Sequence, residues 1–198
     1  MKIRYLNGRR LYYAFLAGGN AVIHDRAYLN KINVFPVPDA DTGTNLATTM
    51  QAIAEGSEVH HQSIKSTLKS IANAALSGAR GNSGLIFAQF VHGMSKEIGQ
   101  DSKLTTHAFA ESVRRASQHA YKAIVHPVEG TMVSVIRDWA EAVYHKRTQT
   151  TDFVELLSDS LHTARQSLRE TTHKLQVLAR ANVVDAGAKG FVDFLEGI

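Results

Sequence analysis

Ile64–Met94, IKSTLKSIANAALSGARGNSGLIFAQFVHGM, sets the fold class. Its residues Ile64, Leu68, Ile71 and Ala75 recur at three- and four-residue intervals, the spacing of one helix face rather than the alternation of a half-buried strand. After a glycine-bearing turn the same spacing resumes at Ile86, Phe90 and Met94, so two amphipathic helices joined by a tight turn are predicted. The pattern extends outward in both directions. Upstream, Leu11, Phe15 and Val22 suit one helix and Leu46, Met50 and Ile53 another. Downstream come Phe109, Val113, Ala116 and Ala120; then Val135, Trp139 and Val143; then Leu157, Leu161, Ala164 and Leu168. A shorter segment holds Leu175 and Leu178, and a last one Phe191 and Leu195. Asp152 with Glu155 reads as a helix start. The three prolines, Pro36, Pro38 and Pro127, fall in two short segments and leave the rest of the chain free of that helix breaker. An all-α array of about eight or nine helices, with no convincing strand, is expected.

Composition narrows the class. With 198 residues, 44% hydrophobic and 20% charged, the chain suits one globular domain spanning 1–198 and is too apolar for disorder. Its apolar runs are far shorter than a membrane span. The polar, basic start Met1–Arg10 does not resemble a signal peptide, so a cytoplasmic address is expected. The absence of cysteine excludes disulfides, thiolate metal sites and a thiol nucleophile. The net charge of +4 resides in scattered pairs, Arg9-Arg10, Arg114-Arg115 and Lys146-Arg147, interleaved with acids. Those pairs read as solvated helix faces, and no nucleic-acid partner is expected. No two of the ten histidines take HxxxH or HExxH spacing, and His60-His61 reads as surface. Gly99–Ser102 and Arg147–Thr151 read as exposed connections.

Four turns carry the remaining polar signal. In NVFPVPDADTGTN, Asn33–Asn45, the prolines hold the chain extended, because each also restricts the residue before it. Asp39 and Asp41 then stand two apart just ahead of a helix. Such hard oxygen ligands suit Mg²⁺ in combination with phosphate oxygens and water; the other reading is that Asp and Thr cap the helix. Gly43 would let backbone approach a ligand, and amides around Thr44 and Asn45 would face anionic oxygen. SGARGNSG, Ser77–Gly84, suits either a phosphate-cradling turn or close helix packing. It lacks the GK[ST] ending of a Walker A loop, and both the spacing and the βαβ context of a dinucleotide fingerprint. In HPVEGTM, His126–Met132, Thr131 either caps a helix or donates to a phosphate or ribose oxygen. Met132 packs on a flat base or on the core. In NVVDAGAKG, Asn182–Gly190, Asp185 orients a ribose hydroxyl or a metal-bound water, or caps the last helix. A helical barrel that gathers these loops at one rim would form a single polar mouth.

The blocks LNKINVFPVPDADTGTN (Leu29–Asn45), GARGNSG (Gly78–Gly84), PVEGTM (Pro127–Met132) and VDAGAKG (Val184–Gly190) resemble, in order, a known family. It is the nucleotide-binding L-type domain shared by the bacterial dihydroxyacetone kinase L subunit and the N-terminal part of bacterial fatty acid kinase. The fatty acid kinase branch is the closer, and Leu6-Asn7-Gly8 with Leu11 and Ala14 fits it. The resemblance implies an antiparallel barrel of about eight helices with an ATP/ADP site at one rim. It also implies a pair of Mg²⁺ ions held by Asp39 and Asp41, which would serve as both metal-binding and catalytic residues. Thr42, Gly43, Thr44, Asn45, Asn82, Ser83 and Gly84 match phosphate-binding positions. Thr131, Met132, Asp185, Ala186 and Gly187 match the region that receives ribose and adenine. Where dihydroxyacetone kinase L subunits carry a further upstream Asp, this chain has Asn33, a weaker ligand left outside the metal set. Arg80 fits a phosphate contact or an outward salt bridge.

Ala40 stands where the family usually has Gly, which would add strain of about 1 kcal/mol if φ is positive there. By resemblance the activity is phosphoryl transfer to an acceptor brought by a partner. That partner would be a fatty-acid-binding protein carrying a fatty acid, or a K-type subunit carrying dihydroxyacetone. An ADP-binding sensor or scaffold is the alternative of another class. The chain would be a stand-alone L-type protein or the N-terminal domain of a longer kinase, and homodimer formation stays open.

Overall fold

The computed structural model describes residues 2–61, 63–99 and 102–198. Among them, eight long helices form the body: α1 (Gly8–His24), α3 (Thr42–Gly56), α4 (Ile64–Gly78), α5 (Gly81–Glu97), α6 (Thr106–Lys122), α7 (Met132–Lys146), α8 (Phe153–Lys174) and α10 (Ala186–Gly197). Two six-residue helices, α2 (Arg26–Lys31) and α9 (Gln176–Ala181), sit inside connections. The all-α expectation therefore holds. Two elements depart from the sequence reading, and both are short. Helix α2 has too few residues for an apolar period to show. Strands β1 (Tyr5–Leu6) and β2 (Leu104–Thr105) form one two-residue antiparallel pair, Tyr5 opposite Thr105 and Leu6 opposite Leu104.

Consecutive long helices pack side by side in antiparallel order, and α10 closes the ring by lying against α1 while also touching α3, α7 and α8. Small residues permit that closure: a side chain at Gly18 would meet the Phe194 ring, and one at Gly197 would meet the Ala17 carbonyl. The interior is filled by the predicted stripes, with Leu46, Ile53, Ile64, Leu68 and Ile71 fully buried, and by Phe87, which the stripe Ile86, Phe90 and Met94 did not include. Phe90, Phe109, Trp139, Phe153 and Phe191 meet edge to face at ring separations of 5.5 to 6.5 Å. Trp139 also donates its Nε1–H to Ser160 across the α7–α8 contact. In α8 the buried stripe is Phe153, Leu156, Ala164 and Leu168, whereas Leu157 and Leu161 are only half-buried. Leu175 precedes α9 as its N-cap rather than lying in it.

Helix starts follow local chemistry. Asn7, Ser63, Thr105 and Asp152 accept backbone amides of the turns they open. Arg114, Arg115, Lys146 and Arg147 pair with Glu141, Glu97, Asp159 and Glu111 on the outside of the barrel, and His60 and His61 are exposed. Thr150, expected as exposed, is buried, its carbonyl accepting from the Thr106 hydroxyl. In the Gly99–Ser102 connection, Gln100 and Asp101 lie outside the described residues. No helix among the described residues is long and apolar enough to cross a membrane.

An up-and-down ring puts every second connection at the same end. Here those are the segments before α3, α5, α7 and α10. One rim thus collects four helix N-termini, each with first-turn amides that have no acceptor in their own helix and with the positive end of a helix dipole.

Candidate functional site

That rim encloses a cleft of about 620 Å³. Of the residues expected in the site, Asp39, Asp41, Thr42, Asn45, Asn82, Ser83, Thr131, Met132, Asp185 and Gly187 line it. Gly43, Thr44, Gly84 and Ala186 do not. An apolar part of the wall comes from Phe35, Val37, Leu85, Ile124 and Val125, and His126 also reaches it. Sequence reading missed these because apolar residues in loops carry no period and Leu85, in the first turn and a half of α5, lies off that helix's buried stripe. A larger concavity, about 840 Å³, lies between α1, α8 and the end of α10 and holds none of the expected residues.

The acidic loop is built around Asn33, which is 4% exposed. Its Oδ1 accepts from the Thr42 amide at 3.1 Å and from the Thr42 hydroxyl, and its Nδ2 donates to the Val37 carbonyl at 2.8 Å and to Asp39 Oδ1 at 3.3 Å. The Phe35–Pro36 peptide is cis. Asp39 and Asp41 are exposed, and neither forms an ion pair among the described residues. Asp41 occupies the N-cap position of α3, yet its side chain accepts no cap bond. The capping is done instead by Asn33 and by Asn30, whose Oδ1 accepts the Thr44 amide at 3.0 Å while its Nδ2 donates to the Thr44 hydroxyl at 2.9 Å. The cap reading of Asp41 is thereby replaced, and the Thr44 amide is committed within the protein. Gly43 likewise serves packing, since a Cβ there would run into the Arg26 carbonyl of α2.

Ala40 has φ +55°, the left-handed region. Placing an L side chain there costs roughly 1 kcal/mol, partly offset in any comparison with Gly by the greater freedom of an unfolded Gly. Ala40→Gly is therefore expected to raise stability by about 0.5 kcal/mol in urea unfolding; a loss of stability would show that this backbone conformation is not the one adopted.

Helix α5 differs from α3. Arg80 stands at its N-cap in an extended conformation, with no side-chain cap. The first amide to close inside the helix is that of Gly84, on the Arg80 carbonyl. The Gly81, Asn82 and Ser83 amides consequently have no acceptor in their own helix, and all three residues line the cleft. Gly84 itself serves packing, because a Cβ would lie 2.5 Å from the Thr49 hydroxyl of α3. Arg80 is exposed and donates to the Ala79 carbonyl, away from the cleft.

The other two N-termini meet at Asp185, which is 5% exposed. Its Oδ2 accepts the Ala188 amide at 2.8 Å, its own amide donates to the Thr171 hydroxyl at 3.0 Å, and its carboxylate faces the Met132 amide. Asp185 thus caps α10 and ties it to the start of α7. Thr131 does not cap α7, because its hydroxyl donates to the Val128 carbonyl at 2.8 Å. Met132 is 1% exposed and packs in the core beneath the cleft. Ala186 is buried in the first turn of α10. Gly187 lets α10 approach α5, since a Cβ would lie 2.7 Å from Ser83 Oγ.

Burial pushes the Asp185 carboxyl up to about 6 from its ordinary 3.8, against the pull of the two amides. The folded state therefore favours the protonated form. The associated stability is complete below pH 4 and is lost as pH rises through 6, about 3 kcal/mol in all. Asp185→Asn removes this titration. The unfolding free energy of the variant relative to wild type should accordingly shift by roughly 3 kcal/mol in favour of Asn between pH 4 and pH 7. A pH-independent difference would show that Asp185 is not buried as described.

Comparisons with known proteins agree with the architecture. The chain is 36% identical over 196 residues to uncharacterized proteins of Staphylococcus aureus strains USA300 and NCTC 8325, covering 98% of this chain and 36% of each relative. It therefore spans about a third of those relatives' length. The dihydroxyacetone kinase of C. freundii in its native form superposes with a TM-score of 0.65 at 14% identity, over 94% of this chain and 33% of that one. The same kinase in complex with AMP-PNP and Mg²⁺ gives 0.67 at 13% identity, over 94% and 32%. At that identity the likeness speaks for the fold. The model of the DAK2 domain matches residues 36–198, from within the acidic loop to the last residue of α10's cap, and the chain belongs to that family.

Proposed function

We propose that the rim cleft binds ATP or ADP with Mg²⁺, and that the chain is the nucleotide-holding part of a phosphotransferase. The observation that carries this reading is the meeting, in one cleft, of an uncapped helix N-terminus and two carboxylates that have no cationic partner among the described residues. Free amides at the start of α5 suit phosphate oxygens. The donor set fits Mg²⁺ as well. Among the described residues no three His, Cys, Asp or Glu side chains converge, so Asp39 and Asp41 would be joined by ligand oxygens and water, as Mg²⁺ commonly requires. The C. freundii kinase complex with AMP-PNP and Mg²⁺ shares this fold, which supports the same pairing here.

In this reading Asp39 and Asp41 hold a pair of Mg²⁺ ions, whose charge neutralises the polyphosphate. The Gly81, Asn82 and Ser83 amides orient the phosphates, helped by Thr42 and Asn45. Thr131, Met132, Asp185 and Gly187 form the floor on the ribose and adenine side. Gly43, Thr44, Gly84 and Ala186 support these groups from behind. Phosphoryl transfer relies on positioning and charge neutralisation, and the acceptor would be presented by a partner. A fatty acid on a fatty-acid-binding protein is the first choice, and dihydroxyacetone on a K-type subunit the second. Titration calorimetry with ADP tests the binding claim: micromolar affinity with Mg²⁺ and a marked loss without it are expected, and no binding would overturn it. Transfer from labelled ATP upon addition of either partner separates a kinase from a sensor that merely retains ADP.

A further inference from the structure

We propose that Asn33 is a positioning residue that fixes Asp39 and the first turn of α3 as one rigid unit, and that it sets metal affinity without ligating metal. The inference rests on the nucleotide reading above but concerns a residue outside the expected site. A carboxamide offers two acceptor lone pairs and two donor hydrogens. In Asn33 all four are used: Oδ1 by the amide and hydroxyl of Thr42, and Nδ2 by the Val37 carbonyl and Asp39 Oδ1. The orientation of the carboxamide is not ambiguous. An amide N–H can only donate and a carbonyl can only accept, so turning the group over would set donor against donor at Thr42 and acceptor against acceptor at Val37.

Asn33 lies in the wall of the cleft but is only 4% exposed, and with all four positions used it has no lone pair left for a metal. It joins the two ends of the acidic loop and the middle of it. Val37 lies within the proline bend, Asp39 carries one of the two carboxylates, and Thr42 starts the helix that follows Asp41. Because Ala40 next to Asp39 is held at φ +55°, the loop needs such a brace to keep the Asp39 carboxylate on the cleft side. Buried side-chain networks that are fully satisfied make a segment rigid in this way.

A thermodynamic cycle tests the proposal, with calorimetric ADP binding measured with and without Mg²⁺. Asn33→Ala should weaken Mg²⁺-dependent binding about 10-fold and leave Mg²⁺-free binding within about two-fold. In an Asp39→Asn background the same change should alter binding by less than about two-fold, because the group through which Asn33 acts is gone. Equal losses with and without Mg²⁺, or an undiminished loss in the Asp39→Asn background, would reduce Asn33 to a purely structural residue and overturn the proposal. No loss at all would overturn it too. Failure of the wild type to bind ADP with Mg²⁺ is a separate result, which removes the nucleotide reading itself and this proposal along with it. Urea unfolding checks that each variant folds. If Asn33→Ala does not, Asn33→Ser, which keeps a hydroxyl acceptor for Thr42, takes its place in the cycle.

Discussion

Replacing Asp39 and Asp41 together by asparagine is expected to weaken Mg²⁺-dependent ADP binding by at least about 100-fold, close to 3 kcal/mol. Both carboxylates stand exposed at the mouth of the cleft with no cation beside them among the described residues. Unlike the buried Asp185, they are the exposed hard anionic oxygens there, and Mg²⁺ keeps its waters unless such oxygens replace them. An asparagine carbonyl is a neutral and weaker substitute. Magnesium-free ADP binding should be unchanged or slightly tighter, because two negative charges near the phosphates have been removed. Fold stability should change little, since neither side chain is buried or caps α3. Calorimetry at fixed ADP with and without Mg²⁺ reads this directly. Equal affinity of the double variant and the wild type in Mg²⁺ would place the metal, if there is one, elsewhere.

The second large effect is on the fold. Phe191 is 1% exposed, and its ring meets Phe90 at 5.8 Å and Trp139 at 5.6 Å, both edge to face. It lies on α10, the helix that closes the barrel against α1 and α7. Truncating such a ring removes its transfer free energy and leaves a cavity that rigid neighbours cannot fill, so Phe191→Ala should cost about 3–5 kcal/mol. For a chain of this size that lowers the melting temperature by roughly 10 °C. The exposed Val154, changed to Ala, should move stability by less than about 0.5 kcal/mol and serves as the comparison. A Phe191→Ala variant that melts with the wild type would mean that α10 does not close the core.

Much of the fold was legible from Ile64–Met94 outward, because long helices repeat their apolar face several times. Leu68, Ile71 and Phe90 are buried as their spacing requires. What escaped was short. A six-residue α2 offers less than two turns to read, and the Tyr5–Leu6 strand exists only through its partner at Leu104–Thr105. Leu157 and Leu161 misled because α8 buries serine and threonine, Ser160, Ser167 and Thr171, alongside its apolar residues. Those hydroxyls bond neighbouring carbonyls or side chains and so enter the core without penalty.

The site was legible as four turns, and the alternation of an up-and-down ring explains why they share a rim. Residue roles were harder to read. Gly43 and Gly84 look alike as ligand-approach glycines in sequence, yet both face neighbouring helices. Capping of α3 by Asn30 and Asn33 reaches back across a loop, and only the folded chain reveals which of several polar residues meets the Thr42 and Thr44 amides. The Asn residues of LNKIN did carry a signal, since asparagine readily bonds backbone near helix ends, but their partners lay 9 and 14 positions away.

The central claim is best tested by a crystal structure of this chain grown with Mg²⁺ and AMP-PNP. The account expects the phosphate oxygens within hydrogen-bonding distance of the Gly81, Asn82 and Ser83 amides, joined through metal to the carboxylates of Asp39 and Asp41. A nucleotide seated in the groove between α1, α8 and α10, or one whose phosphates lie away from both acids, would contradict it.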